Sequence, residues 1–186
     1  MSFRWSIPES ERGTCSAFVI TFGLTIIVWA SAHDLYLIGV EPRHFTEYHR
    51  PLLPISDHRL LALQYATVAT LGPGMVFGAL AFAASRLGSR TPHTLISAWR
   101  LFVPFILLIE TTALIIGELA NLRYEIGEPL PYPESFYPDT TAGIAYSQSV
   151  NLTAYLAAAV FGGLYLLALL VLRKRTDYTS ARSGSS

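Results

Sequence analysis

Charged residues are scarce in this chain, making up only 14% of its 186 residues. Basic and acidic side chains balance at thirteen each, so no excess of positive charge indicates nucleic-acid binding. A single cysteine, Cys15, excludes an intramolecular disulfide and lies in an apolar run where a buried, inert thiol is expected. Lysine is nearly absent: twelve of the thirteen basic residues are arginine, a bias typical of a GC-rich, bacterial coding sequence.

Apolar residues, by contrast, make up 52% of the chain, which indicates an integral membrane protein. Four apolar runs are long enough to cross a hydrocarbon core of about 30 Å, and they cover residues 15–32, 60–84, 99–120 and 151–172. Each is predicted to be helical because lipid offers backbone groups no other hydrogen-bond partner. The sequence therefore predicts an all-α, four-transmembrane-helix bundle over residues 1–175, in contact with the lipid bilayer, and a disordered tail over 176–186.

The basic residues are unevenly placed around these spans. Nine of the thirteen fall in the N-terminal segment, the connection after the second span and the C-terminal tail. The positive-inside rule therefore puts both termini in the cytoplasm of a bacterial inner membrane and the two long connections outside. An A-x-A pattern at Ala30–Ala32 leaves open the alternative that the first span is a cleaved signal peptide.

One acid, Glu110, lies inside an apolar run. It follows Arg100 by ten positions, which places its carboxyl near the middle of the membrane at about 1.5 Å per residue. An ionised carboxylate there costs at least a few kcal/mol, so it must be protonated, paired or solvated. Thr25, Thr67 and Thr70 have a similar depth and are the expected partners of this carboxyl.

Glu118 lies closer to the outer surface than Glu110. It is expected to form an ion pair with Arg59 or Arg123. The alternative is that Glu110 and Glu118 are two steps of a proton path that opens outward. A small-xxx-small pair on the second span, Gly74 and Gly78, predicts close packing against another helix.

The first outer connection holds a cluster that could bind a metal. His44, Glu47 and His49 bring two imidazoles and a carboxylate within six residues, and zinc or copper accepts such ligands. The spacing matches no H-E-x-x-H helix, and a polar, hydrogen-bonded loop is the competing interpretation. Bis-histidine haem ligation would need His33 and His58 to meet from the outer ends of adjacent spans, and no histidine lies deep within a span. We therefore predict that the protein has no cofactor. The alternative is that it binds a metal ion or a haem.

The segment from Phe45 to Pro51, with Ile55-Ser56, Leu60–Leu63 and Ala69-Thr70, resembles the start of the second span in small bacterial membrane proteins of uncharacterised type. The resemblance implies a four-span architecture and carries over no catalytic residues.

No nucleophile elbow or other catalytic constellation is present in the sequence. The first hypothesis is therefore a non-enzymatic accessory or scaffold subunit, with a membrane-protein partner or a second copy of the chain. The second is a proton- or ion-handling membrane protein that uses Glu110 and Glu118. The third is a metal- or haem-dependent oxidoreductase at the outer face.

Overall fold

A computed structural model describes residues 7–48, 53–86, 90–137 and 139–173, and these ranges contain helices and no strand. In chain order the helices are α1 (Glu9–Val40), α2 (Arg43–Thr46), α3 (His58–Arg86), α4 (Leu95–Glu125) and α5 (Ala142–Val171), with a short 3-10 helix at Glu134–Phe136 before α5. Four of them, α1, α3, α4 and α5, are long and apolar enough to cross a membrane. The predicted all-α, four-helix fold is confirmed. The predicted tail at 176–186 lies outside the described residues.

Each of the four long helices is longer than the apolar run from which it was predicted. Helix α1 continues through Ala30–Ala32, where the A-x-A pattern lies, and ends at Val40. Helix α4 begins at Leu95, where the Thr94 hydroxyl caps it by accepting from the Ser97 amide. Hydropathy detects only the part of a helix that contacts lipid, whereas backbone hydrogen bonds carry the helix on into polar sequence.

The long helices associate as two antiparallel pairs, α1 with α3 and α4 with α5. In the first pair the predicted Gly74 and Gly78 lie against α1: a Cβ at Gly74 would be 3.2 Å from the Gly23 Cα, and one at Gly78 would be 2.7 Å from the Val19 Cα. In the second pair, a Cβ at Gly117 would collide with the Val150 side chain. Glycine therefore permits backbone contact in the first pair and close packing of a side chain on the backbone in the second.

The start of α1, the end of α3, the start of α4 and the end of α5 lie at the same end of the bundle, which we call the terminus end; Arg86 bonds Glu11 there, and Arg90 bonds the Leu170 carbonyl. The described parts of the connections between α1 and α3 and between α4 and α5 lie at the opposite end, the loop end. Near the terminus end, aromatic side chains fill the space between the two pairs, and the buried members of this aromatic cluster are Phe18, Phe22, Phe82, Phe102 and Tyr165. Here the Arg86 Nε lies 2.9 Å from a Glu11 carboxylate oxygen and links α3 to α1.

At the loop end the connections are fastened to the helix ends by polar side chains. Glu41 accepts two hydrogen bonds of about 3.0 Å from the Arg43 guanidinium, which also donates to the Thr141 hydroxyl at the start of α5. The Tyr137 hydroxyl lies 2.7 Å from the Ser149 hydroxyl of α5. Arg43 lowers the pKa of the Glu41 carboxyl through its hydrogen bonds, so this fastening favours the ionised acid.

Candidate functional site

Glu110 lies midway along α4 and directs its carboxylate at α1. The Trp29 indole nitrogen donates to Oε2 at 2.9 Å, and the His33 Nδ1 lies 3.0 Å from the same oxygen and 3.2 Å from Oε1. The His33 side chain is 4% exposed and that of Glu110 is 26% exposed. This trio is therefore a polar contact between the two helix pairs, largely removed from solvent.

The trio follows from helix geometry. Trp29 and His33 are four residues apart, so they lie one above the other on the same face of α1. Their rings are 5.6 Å apart, centroid to centroid, and both converge on Glu110. On α4, Ala113 and Gly117 continue the face that Glu110 begins, and both are buried. The expectation that Glu110 points at other helices agrees with this placement.

The threonines expected to bond Glu110 do not do so. Thr25 and Thr70 donate their hydroxyls to the carbonyls of Thr21 and Ala66 in the preceding turn of their own helices, at 2.7 and 2.6 Å. Thr67 is exposed on α3. A threonine within a helix readily satisfies its hydroxyl on its own backbone, so similar depth alone does not predict a contact.

The hydrogen-bond chemistry of the trio constrains the position of one proton. An ionised Glu110 accepts from the indole and also from the imidazole, which requires a hydrogen on the His33 Nδ1. The other ring nitrogen, Nε2, is buried and has no hydrogen-bond partner among the described residues. Nε2 is then an acceptor in the neutral ring and a donor in the imidazolium, so the ring can take up a proton without losing its bond to Glu110.

His33 and its neighbour Asp34 line a cavity of about 280 Å³ between the two helix pairs. The polar residues of its wall are clustered toward the loop end: His33, Asp34, Thr70, Asn151 and Tyr155. Further toward the terminus end the wall is apolar and includes Phe77, Phe102 and Gly162. Asp34 is partly buried and makes no hydrogen bond with any residue that the structure describes.

The site lies in the loop-end half of the bundle. His33 precedes the last residue of α1, Val40, by seven positions, which is about 10 Å along the helix axis. Glu110 is central in α4, whereas its partner His33 belongs to the third of α1 nearest the loop end. The aromatic cluster separates this site from the terminus end.

Glu118 does not join the site. It is exposed on α4 and makes no ion pair with Arg59 or Arg123, both of which belong to the described part of the chain. Arg123 instead donates to the Pro129 carbonyl at 3.2 Å. The expected ion pair of Glu118 is therefore wrong, because the arginine is used to fasten the following connection.

The candidate metal ligands are only partly described. His44 is buried at α2 and Glu47 is exposed just after it, whereas His49 lies outside the described residues. Within the described ranges, no group of three or more His, Cys, Asp or Glu side chains could hold a metal ion. Of the two histidines considered for haem, His33 is bonded to Glu110 and His58 is exposed at the start of α3.

The chain matches no protein-family model, and no curated protein or solved structure is similar to it. The likeness of residues 45–70 to uncharacterised membrane proteins therefore stays a resemblance in sequence, and the function must be argued from the site itself.

Proposed function

We propose that this chain is a non-enzymatic integral membrane protein in which the His33–Glu110 pair binds and releases a proton inside the helix bundle. The observation that carries the proposal is the 3.0 Å contact between the His33 Nδ1 and the Glu110 carboxylate. Two ionisable groups in direct contact share protons as a unit, and one proton changes the charge of the whole unit. Acids within spans are costly, so such groups usually line ion or proton sites.

The surroundings favour proton binding over conduction across the bundle. The cavity supplies space beside His33, and its polar wall faces the loop end. Toward the terminus end the aromatic cluster includes Phe22, Phe102 and Tyr165, with ring centroids 5.0 to 5.9 Å apart. Packed rings of this kind offer no chain of proton acceptors, so the proposed exchange takes place with the loop-end side.

The proposal assigns His33 and Glu110 the exchange of the proton and gives Trp29 a positioning role. The indole donates to Oε2 of Glu110 and holds the carboxylate against α1. The threonines at positions 25, 67 and 70 and the exposed Glu118 are left out of the proposed site. Because α1 and α4 belong to different helix pairs, a change of charge here alters the attraction between those pairs.

Trp29 makes the proposal testable by fluorescence. A variant with Trp5→Phe and Trp99→Phe leaves Trp29 as the only tryptophan, and its indole, which bonds Glu110 and lies 5.6 Å from the His33 ring, reports the charge of the pair. We expect the emission of this variant in lipid nanodiscs to change reversibly between about pH 5 and about pH 9. Adding Glu110→Gln keeps the hydrogen bond to the indole but removes the negative charge that stabilises the His33 imidazolium, so it should abolish the change in this pH range.

Glu118→Gln is the matched control, since it removes an exposed acid from the same helix. It should leave the pH response of Trp29 intact. An emission independent of pH in the parent variant, or a response that survives Glu110→Gln, would show that the pair does not exchange a proton in this range.

The membrane orientation belongs to the same proposal. We assign the terminus end to the cytoplasm of a bacterial inner membrane and the loop end to the outside, in keeping with the positive-inside rule. Three arginines at the terminus end support this assignment: Arg86, Arg90 and Arg173, which bond backbone carbonyls there. Reporter fusions after Arg90 test it, and a reporter that is active outside the cell would reverse the assignment.

An accessory or scaffold role is the second candidate function, and the loop end favours it. The fastened connections there carry large apolar side chains in exposed positions, namely Leu53, Ile126 and Phe136. Exposed apolar residues on an ordered surface are typical of protein or headgroup contacts. If the chain is an accessory subunit or a homo-oligomer, native electrophoresis of mildly solubilised membranes should give a species well above 20.5 kDa that Phe136→Ser dissociates. Migration as a single chain would contradict this role.

A further inference from the structure

The cavity beside Asp34 has the character of a binding site for an amphiphile. Its volume of about 280 Å³ is near the lower bound for small-molecule pockets. The wall follows α5 from Asn151 to Gly162, an axial length of about 17 Å. One end is polar and the other is apolar, which matches a molecule with a single polar head and a short hydrocarbon tail.

Two groups at the polar end lack the partners that a buried polar group needs. The His33 Nε2 is fully buried and has no hydrogen-bond partner among the described residues, although His33 contributes other atoms to the cavity wall. Asp34, the next residue, is partly buried and likewise bonds no described residue. Polar groups removed from solvent are nearly always satisfied in folded proteins, and of these two only Asp34 has surface left for a partner in the cavity.

The charges of the wall decide which head group fits. Asp34 contributes a carboxyl, and the described lining contains no arginine or lysine. An anionic head would therefore be repelled, and a neutral alcohol would leave the carboxylate without a counter-ion. A protonated amine carries three N–H donors. Asp34 and the Asn151 amide oxygen, both in the cavity wall, can accept from it.

We propose that the cavity binds a single-chain lipophilic amine, with its ammonium head on Asp34 and Asn151 and its tail directed at Phe77 and Gly162. Asp34 supplies the counter-charge, and the apolar wall supplies the tail site. This proposal goes beyond proton exchange by His33 and Glu110, because its anchoring carboxylate, Asp34, is a third residue.

Three probes with the same tail separate the contribution of the head group: decylammonium, decanol and decanoate. Each is titrated by calorimetry into the full chain in zwitterionic lipid nanodiscs, and the heat of partitioning into empty nanodiscs is subtracted. We expect saturable binding of decylammonium, with one molecule per chain and an affinity about tenfold or more above that of decanol. Equal affinity for the three heads, or no saturable signal above the empty nanodiscs, would overturn the proposal.

Variants locate the site. Asp34→Asn, which is isosteric and uncharged, should remove the preference for the ammonium head. Ala158→Phe should fill the deeper part of the cavity and abolish binding, whereas Ala159→Phe, on the exposed side of the same helix turn, should not. Retained preference in Asp34→Asn, or equal effects of the two phenylalanines, would contradict the assignment.

The Glu110→Gln variant distinguishes this proposal from the proposed proton exchange. It should lose the pH response of Trp29 and still bind decylammonium through Asp34. Binding that disappears in Glu110→Gln while the helix content stays normal would show that Asp34 is not the anchor.

Discussion

The contact between Gly78 and α1 offers a quantitative test of how the first helix pair is held together. A methyl group at this position would be 2.7 Å from the Val19 Cα and 2.9 Å from the Phe18 carbonyl oxygen. Both are backbone atoms, which cannot turn aside as a flexible side chain can. The two helices must separate by about 1 Å to reach normal contact, and a gap of that size forfeits a quarter to a half of each van der Waals contact along the seam.

For Gly78→Ala we therefore expect an overpacking penalty of about 1 to 3 kcal/mol. The alanine also gains up to about 1 kcal/mol in helix propensity, which partly offsets the penalty. Gly163→Ala is the matched control, because that glycine is in the interior of α5 with nothing within 4 Å of an added Cβ. Gly163→Ala gains helix propensity without a clash. The difference in unfolding free energy between the two variants therefore measures the cost of the clash at Gly78.

The assay is reversible unfolding in bicelles by increasing SDS, followed by far-UV circular dichroism. We expect Gly78→Ala to be less stable than Gly163→Ala by about 1 to 3 kcal/mol, and Gly78→Leu to be less stable still. Equal stability of the two alanine variants would refute the close approach of α3 to α1.

Three further predictions concern the ends of the bundle. Glu41→Gln should lower the thermal midpoint near neutral pH. Because Arg43 holds the pKa of Glu41 below its ordinary value of 4.5, the advantage of the wild type is complete above that value and disappears as the pH falls through the lowered pKa, which thermal melts from about pH 6 to about pH 3 would detect. A constant difference between the two proteins over that range would exclude this role. Tyr165→Phe removes the buried hydroxyl that donates to the Ala98 carbonyl at 3.0 Å and should cost about 1 kcal/mol of unfolding free energy. Tyr124→Phe should cost less, since its hydroxyl lies 3.4 Å from an exposed carbonyl. Arg86→Lys keeps the positive charge but loses the planar group that bonds Glu11 and stacks 4.8 Å above the Phe82 ring, so SDS unfolding should show a loss of about 1 kcal/mol. Arg100→Lys, at an exposed position, should be neutral, and equal behaviour of the two lysine variants would argue against the stacked contact.

The fold could be predicted from the sequence because the features that determine it most strongly are local. Four apolar runs identify four helices, and the Gly74 and Gly78 pair identifies a helix contact, since small residues at that spacing permit close approach in lipid. The residues at which the helices begin and end were predicted less well. Val40 and Leu95 lie several residues outside the predicted spans, where backbone hydrogen bonding continues after hydropathy has fallen.

The candidate site was only half predictable. Glu110 is conspicuous because an acid within a span is costly, but its partners depend on how two helix pairs are placed against each other. The predicted first span ended at residue 32, so His33 was expected at the membrane surface. In the structure α1 continues to Val40, and His33 lies within it, four residues after Trp29. The signal that could have found it is the i, i+4 spacing of Trp29 and His33, both able to donate to a carboxylate.

The chemistry of the His33 ring tests the central claim most directly. In nanodiscs, the ring nitrogens of ¹⁵N-histidine-labelled protein can be observed by NMR, with His33 assigned by its loss in His33→Gln. We predict that Nδ1 carries a hydrogen throughout, and that Nε2 gains one as the pH is lowered from about 9 to about 5. Glu110→Gln should alter that behaviour, whereas Glu118→Gln should not. A ring that keeps a single protonation state over this range, or one that is indifferent to Glu110→Gln, would contradict the account.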